Sequence, residues 1–261
     1  MSFTYLSGLL MHIREFVKLH NVKPNGILHV GAHMAEEAAE YQRESLHGIG
    51  NIIWIEAQKE LTDKLIQRLD PELHKVFCGV AWDKDDETIN FKITSKTASS
   101  SILDFGTHKD QYPDIEVVKE VTLTTTRIES LIPRNLEFEM IILDIQGAEA
   151  QAIIGLGERI HAVNWIYSEV SKRSLYVGGM LIADFDQLLK TFGFKRVFTE
   201  WDRKGGWGDA LYAREAIYSP SRWQKIRIIT SQARRLLRSL IPQPIFPILV
   251  KIKKVLKFLF R

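Results

Sequence analysis

Apolar residues recur along the first 80 positions in short bursts separated by polar stretches of helical length. Leu6, Leu9, Leu10, Ile13, Phe16 and Val17 fall at helical spacing, which predicts an opening amphipathic helix over residues 6–20. Pro24-Asn25-Gly26 then breaks the chain, and Ile27-Leu28-His29-Val30 is an apolar run of strand length. Gly31-Ala32-His33 turns that run into a Glu/Ala-rich helical stretch at residues 35–46, with Gly48 and Gly50 beyond its end. Ile52-Ile53-Trp54-Ile55, closed by Glu56, predicts a second strand. A helix over residues 60–69 stops near Pro71, and residues 75–80 predict a third strand. Strands alternating with helices in this way indicate right-handed βαβ units and a parallel sheet.

Beyond Asp83 the period changes. Residues 88–93 and 117–125 each alternate at period two, on either side of a polar loop containing Ser99-Ser100-Ser101. Residues 83–137 are therefore expected to form a β-rich insertion. The parallel pattern resumes with the apolar run 138–143, followed by Asp144 and by Gly147-Ala148-Glu149 at the start of a helix. A strand at 163–170, a helix at 182–191, a strand ending near Phe198 and a last strand at 208–213 complete the pattern.

The 261 residues are 45% hydrophobic and 26% charged, enough for a substantial core. A lone cysteine, Cys78, excludes an intramolecular disulfide framework or a Cys-rich zinc module and suits a reducing compartment. No run of 18 apolar residues occurs, and MSFTYLSGLLMHIREF lacks a basic n-region and a cleavage site, so a cytoplasmic protein is expected. The formal net charge of +3 conceals an asymmetry. Residues 219–261 hold eleven Lys/Arg and no acid, whereas the preceding 218 hold 24 Lys/Arg against 32 Asp/Glu. Three regions follow: an N-terminal helical segment (1–24), an α/β domain (25–218) and a basic C-terminal segment (219–261).

In that segment Trp223, Ile226, Ile229, Ala233, Leu236, Leu237 and Leu240 share a helical stripe. A second stripe joins Ile248, Leu249, Ile252, Val255, Leu256 and Leu259. Interleaved lysines and arginines forbid spanning but suit a helix lying on an anionic membrane surface, here the cytoplasmic leaflet. Packing on the α/β domain or a neighbouring subunit is the other reading. Two apolar faces that need burial argue against nucleic acid as a partner.

In an open parallel sheet, ligands bind beyond the carboxyl ends of strands where strand order reverses. That directs attention to Gly31, Ala32 and His33, to Glu56, to Ala81, to Asp144 and to Glu169. Gly31 allows a tight turn, and small Ala32 and Ala35 suit close approach of a ligand to the backbone. Glu56, 25 residues after Gly31, stands where an acidic side chain accepts hydrogen bonds from two ribose hydroxyls. A helix-entry glycine and a solvated strand-end glutamate are the simpler reading. The glycine pattern is not that of a dinucleotide site, since Gly31, His33 and Glu36 stand where G-x-G-x-x-G would have three glycines. Glu36 and Glu37 would repel phosphate and favour a cation, which points to a cationic nucleoside such as S-adenosylmethionine (SAM).

Four segments carry a family resemblance: Leu28-His29-Val30-Gly31-Ala32-His33, Trp54-Ile55-Glu56-Ala57, the block from Ile142 to Glu149 (ILDIQGAE), and Trp207-Gly208-Asp209. In order and spacing, residues 27–213 resemble the FkbM family of SAM-dependent methyltransferases. The resemblance implies a class I fold, a mostly parallel seven-stranded sheet with a final antiparallel strand. It also implies O-methylation, commonly of a sugar hydroxyl on a glycan, glycolipid or natural product. Departures from the family pattern are His29 for an acidic residue, His33 for asparagine, Ala35 for glycine and Gln146 for glutamate. His29 reads as a core histidine, and His33 as either a cofactor-loop residue or a helix cap.

Gly31, Ala32, His33, Glu37, Glu56, Ala81 and Asp144 are the candidate cofactor contacts. An alcohol acceptor needs a base, and Asp144 is the first candidate, with helix capping or cofactor anchoring as its other roles. Glu169 is the second candidate base. Glu149, Tyr176 and Trp207 are candidate acceptor contacts, with Lys172 and Arg173 nearby. No ligand spacing such as H-x-x-x-H is present, so no metal site is assigned. A non-catalytic nucleotide-binding or membrane-associated scaffold on the same fold is the alternative function.

Overall fold

The computed structural model describes residues 17, 19–42, 50–95, 100–103, 114–173, 176–202 and 206–240, with side chains as far as Ser231. The chain forms two compact units, Met1–Tyr218 and Ser219–Arg261. Most of the expected opening helix and the whole second apolar stripe of the C-terminal segment lie outside the described residues.

The first unit alternates strands and helices: β1 (Ile27–Val30), α1 (Ala38–Tyr41), β2 (Ile52–Glu56), α2 (Lys59–Arg68), β3 (His74–Cys78) and β4 (Val80–Ala81). The insertion supplies β5 (Thr88–Thr94) and β6 (Val117–Thr126). There follow α3 (Ile128–Leu131), β7 (Met140–Leu143), α4 (Glu149–Gly155), β8 (Trp165–Ser171), α5 (Ile182–Thr191), β9 (Phe194–Trp201) and β10 (Trp207–Arg214). Seven strands make one sheet in the order β3-β2-β1-β7-β8-β10-β9. Its pairs are parallel except those of β10, which runs antiparallel to both β8 and β9. A second sheet, β4-β6-β5, joins β4 parallel and β5 antiparallel to β6.

The central strands are apolar on both faces because helices cover both sides. Leu28, Val30, Ile53, Ile55, Ile141 and Leu143 face one core with Ile153, Leu156 and Phe185. The alternate positions Ile27, Ile52, Trp54, Met140 and Ile142 face the other with Val17, Tyr41 and Leu65. His29 belongs to this second side and is buried as expected of a core histidine. Its Nδ1 lies 2.8 Å from the Tyr41 hydroxyl, and its ring stacks on Trp54 at 5.0 Å. Burial drives its pKa down to about 3, so it is neutral in the fold.

Two expected elements differ. The strand expected at 75–80 breaks at Gly79, where a Cβ would lie 2.7 Å from Leu131 Cδ2, and the chain passes into the second sheet. The helix expected from residue 35 is described only from Ala38, because His33 and Ala35 adopt left-handed backbone (φ 45° and 46°). Arg68 holds that turn with its guanidinium on the Met34 and Ala35 carbonyls.

Gly31 has φ +91°, and a Cβ there would stand 2.0 Å from the Asp144 carbonyl oxygen. Gly31→Ala is therefore expected to cost at least about 2 kcal/mol, from left-handed strain plus a backbone clash with no flexible side chain to yield. A chemical-denaturation midpoint equal to that of the wild type would contradict this.

Candidate functional site

The strand order reverses at β1, flanked by β2 and β7, and an open cleft of about 560 Å³ lies beyond the ends of these three strands. Gly31 and His33 after β1, Glu56 and Gln58 after β2, Ala81 in β4, and Asp144 to Gln146 after β7 line it. The second sheet contributes Phe91, and the loop after it contributes Ser100 and Ile102.

Glu56 sits at the base of this cleft, 6% exposed. One carboxylate oxygen accepts the His33 N–H at 2.8 Å and the other accepts the Gln58 N–H at 2.9 Å. The carboxylate keeps acceptor capacity toward the cleft. Burial raises its pKa, partly offset by the backbone donors. His33 Nδ1 lies 2.8 Å from Glu36 Oε1, and that hydrogen bond raises the imidazole pKa. Among the described residues, no lysine or arginine lines the cleft.

A second cleft of about 420 Å³ lies on the other side of the β7–α4 loop, lined by Gly147, Glu149, Glu169, Arg173, Tyr176 and Met180 among others. Neighbouring residues thus face two clefts: Asp144 to Gln146 the first, and Gly147, Glu149 and Ala150 the second. Gln146, at φ 56°, ties them together. Its Nε2 donates to Asp144 Oδ1 at 2.7 Å and to Glu169 Oε2 at 3.2 Å, while the Tyr176 hydroxyl donates to its Oε1. The tyrosine fixes which end of the amide faces the carboxyls.

Those carboxyls are tightly coupled. Glu169 and Asp209 are directly opposite on β8 and β10. Burial raises Asp144 to about 6, opposed by the Gln146 amide and assisted by the Asp209 charge. Burial and the Asp144 charge push Glu169 well above the carboxylate range, so Glu169 holds a proton toward an ionised Asp144.

Other candidate residues have structural roles of their own. Gly31 lines the first cleft, and its turn also accommodates the Asp144 carbonyl. Ala32 and Ala35 are buried in the second core, and Ala32 donates its N–H to the Ile55 carbonyl; their small size serves packing. Glu37 lies at the start of α1 without lining the first cleft. Burial raises it to about 7, helped by Glu36 and Asp144. Glu149 borders the second cleft, but its Oε1 accepts the Ile145 and Gly147 N–H groups at 3.2 and 3.1 Å, which holds the loop in shape. Trp207 lines neither cleft; it opens β10 opposite Ser171. Lys172 lies over the Trp201 ring at 3.9 Å. Phe91, Ser100, Ile102 and Gln58 were not foreseen, and of these only Gln58, two residues past the strand-end glutamate, had a local signal. Among the described residues no group of His, Cys, Asp and Glu is arranged to hold a metal ion.

The sheet order with its one antiparallel strand, and a cleft at the reversal, define a Rossmann-like domain of the class I methyltransferase type. The family model for the FkbM methyltransferase domain matches residues 29–196, and the chain belongs to this family. Among solved structures, it is similar to magnesium protoporphyrin IX methyltransferase from Synechocystis with bound SAM (8% identity, TM-score 0.46, 82% of this chain and 86% of that one). It is also similar to an O-methyltransferase from Bacillus cereus in complex with SAH (12%, 0.44, 80% and 81%). A third is a protein of the NADB-Rossmann superfamily from Streptococcus agalactiae (8%, 0.48, 87% and 75%). No curated protein matches the chain.

Burial holds Glu149 at a pKa of about 7, above the ordinary 4.5. The fold binds a proton there that the unfolded chain releases, so this contribution is present below pH 4.5 and is lost as pH rises through 7. Glu149→Gln keeps an acceptor without the charge, and its melting temperature is expected to gain on the wild type between pH 5 and 8. Parallel melting curves across that range would refute the assignment.

Proposed function

We propose that the protein is a SAM-dependent O-methyltransferase acting on a hydroxyl, in the best-fitting case a sugar hydroxyl of a glycan, glycolipid or natural product. The observation that carries this reading is the Asp144–Gln146–Glu169 bridge, a basic carboxylate set between two clefts.

The first cleft fits a cationic nucleoside. Glu56 has acceptor capacity for a ribose diol, and Asp144 adds negative charge that favours a cation over a pyrophosphate. The apolar side chains of Ile55, Phe91 and Ile102 suit an adenine ring. When bound, SAM supplies a methyl group already activated by its sulfonium. Everything else is orientation and proton removal by this chain's residues.

The second cleft suits the acceptor. Tyr176, Met180 and Phe185 offer an apolar wall for a sugar face, and Ser171 and Arg173 offer donors at its edge. Asp144, ionised near neutral pH and more basic than an ordinary aspartate, takes the hydroxyl proton as the oxygen attacks. Protonated Glu169 keeps the neighbouring negative charge down, and Gln146 orients both groups.

Asp144→Asn is expected to lower turnover by about 10²-fold or more while changing SAM affinity less than about fivefold. In the wild type, turnover should rise with pH through about 6, because the base is protonated below that value. Equal losses of turnover and affinity would make Asp144 an anchor instead. Glu56→Ala should weaken SAM and its demethylated product together, by about tenfold or more in calorimetric titration. Unchanged affinity would remove Glu56 from the nucleoside site.

A further inference from the structure

The second unit carries a surface that methyl transfer does not use. Its described helix, α6 (Arg222–Leu240), starts at a reciprocal cap: the Gln224 N–H donates to Ser221 Oγ at 3.2 Å and the Ser221 N–H donates to Gln224 Oε1 at 2.8 Å. This capping box fixes the register of everything that follows. Trp223, Ile226 and Ile229 then stand one turn apart, and all three are exposed (75%, 42% and 63%). The sequence continues the same spacing with Ala233, Leu236, Leu237 and Leu240. The helix carries six Lys/Arg and no acid, within a segment holding eleven basic residues and none acidic.

An exposed tryptophan and two isoleucines on one stripe need a partner with apolar depth. A row of positive charge beside them needs that partner to be anionic. A second copy of this helix offers the apolar depth but sets positive charge against positive charge, and a nucleic acid offers the charge without the depth. No described helix is long and apolar enough to cross a membrane, so a helix of this kind lies along a surface.

We infer that α6 is a docking element for an anionic lipid bilayer, with Trp223, Ile226 and Ile229 entering the acyl boundary and Arg222, Lys225 and Arg227 meeting headgroups. The assignment is independent of the proposed methyl transfer, because it rests on the residues of α6 alone. It implies that the enzyme works beside a surface, where a lipid-linked acceptor would be concentrated.

Flotation of the full chain with phosphatidylglycerol–phosphatidylcholine vesicles tests this, with phosphatidylcholine vesicles as the neutral arm. Binding is expected to anionic vesicles at least about tenfold tighter than to neutral ones, and to weaken as salt screens the headgroups. Trp223→Gln/Ile226→Gln/Ile229→Gln retains every charge and should lose most of the binding. Arg222→Gln/Lys225→Gln/Arg227→Gln retains the apolar stripe and should lose the preference for anionic lipid. Both variants should melt at the wild-type temperature, which separates lost docking from lost folding. Wild-type protein that stays with the unbound fraction, or an apolar variant that floats as well as the wild type, overturns the proposal. A dimer in sedimentation velocity that the apolar variant abolishes, without flotation, would reassign the stripe to a second copy. Binding to duplex DNA without flotation would reassign the charge to nucleic acid, and either result overturns the lipid assignment.

Discussion

The site depends on how closely two neighbouring parallel strands approach as they leave the sheet. At Gly31 the backbone turns with positive φ, and the Asp144 carbonyl occupies the space where any other residue would carry its Cβ. Backbone hydrogen bonds lock the same junction: Gly31 and Ala32 both donate to the Ile55 carbonyl, and Asp144 donates to the Val30 carbonyl. Three strand ends are thereby drawn to one point. Glu56 and Asp144 face a common space without either side chain having to reach for it, and the His33 N–H falls onto the Glu56 carboxylate.

Electrostatics at that junction is unusually one-sided. Glu37, Glu149, Asp144 and Glu169 all have raised pKa values, chiefly because they are withdrawn from water and then because each feels another carboxylate. Such a set is tolerable only where protons are shared or neutral donors intervene. Gln146 is that donor. A glutamate in its place would add another acid to the group, so the amide lets Asp144 ionise near neutrality while Glu169 keeps its proton.

Much of this was legible in the sequence. The apolar runs at Ile27, Ile52 and Met140 became the three central strands because runs that are apolar on both faces fit only a covered parallel sheet. The alternating segments of the insertion became β5 and β6 for the same reason in reverse, since a half-exposed ladder demands period two. Glu56 and Asp144 were visible because strand ends are where a parallel sheet exposes side chains. What the sequence left open has a different cause. Ala32 and Ala35 looked like room for a ligand, but smallness also serves helix-to-sheet packing, and only tertiary structure separates the two. Glu149 and Trp207 carry suitable chemistry, but the direction of a side chain is set by local loop geometry that spacing does not encode. Phe91 comes from a separate sheet and Ser100 and Ile102 from the loop after it, so no local pattern could have tied them to Gly31.

Ser101 has a bearing on how such a protein can change. Its hydroxyl donates to the Gln146 carbonyl at 2.9 Å and accepts the Leu103 N–H at 3.0 Å, while its backbone bridges to Lys92 of β5. One serine thus latches the insertion to the loop that divides the clefts, and the parallel strands contribute nothing to that joint. Remodelling around it would reshape the mouth of the pocket while the register of the seven-stranded scaffold stays as it is, which makes the insertion an adjustable rim on a fixed frame.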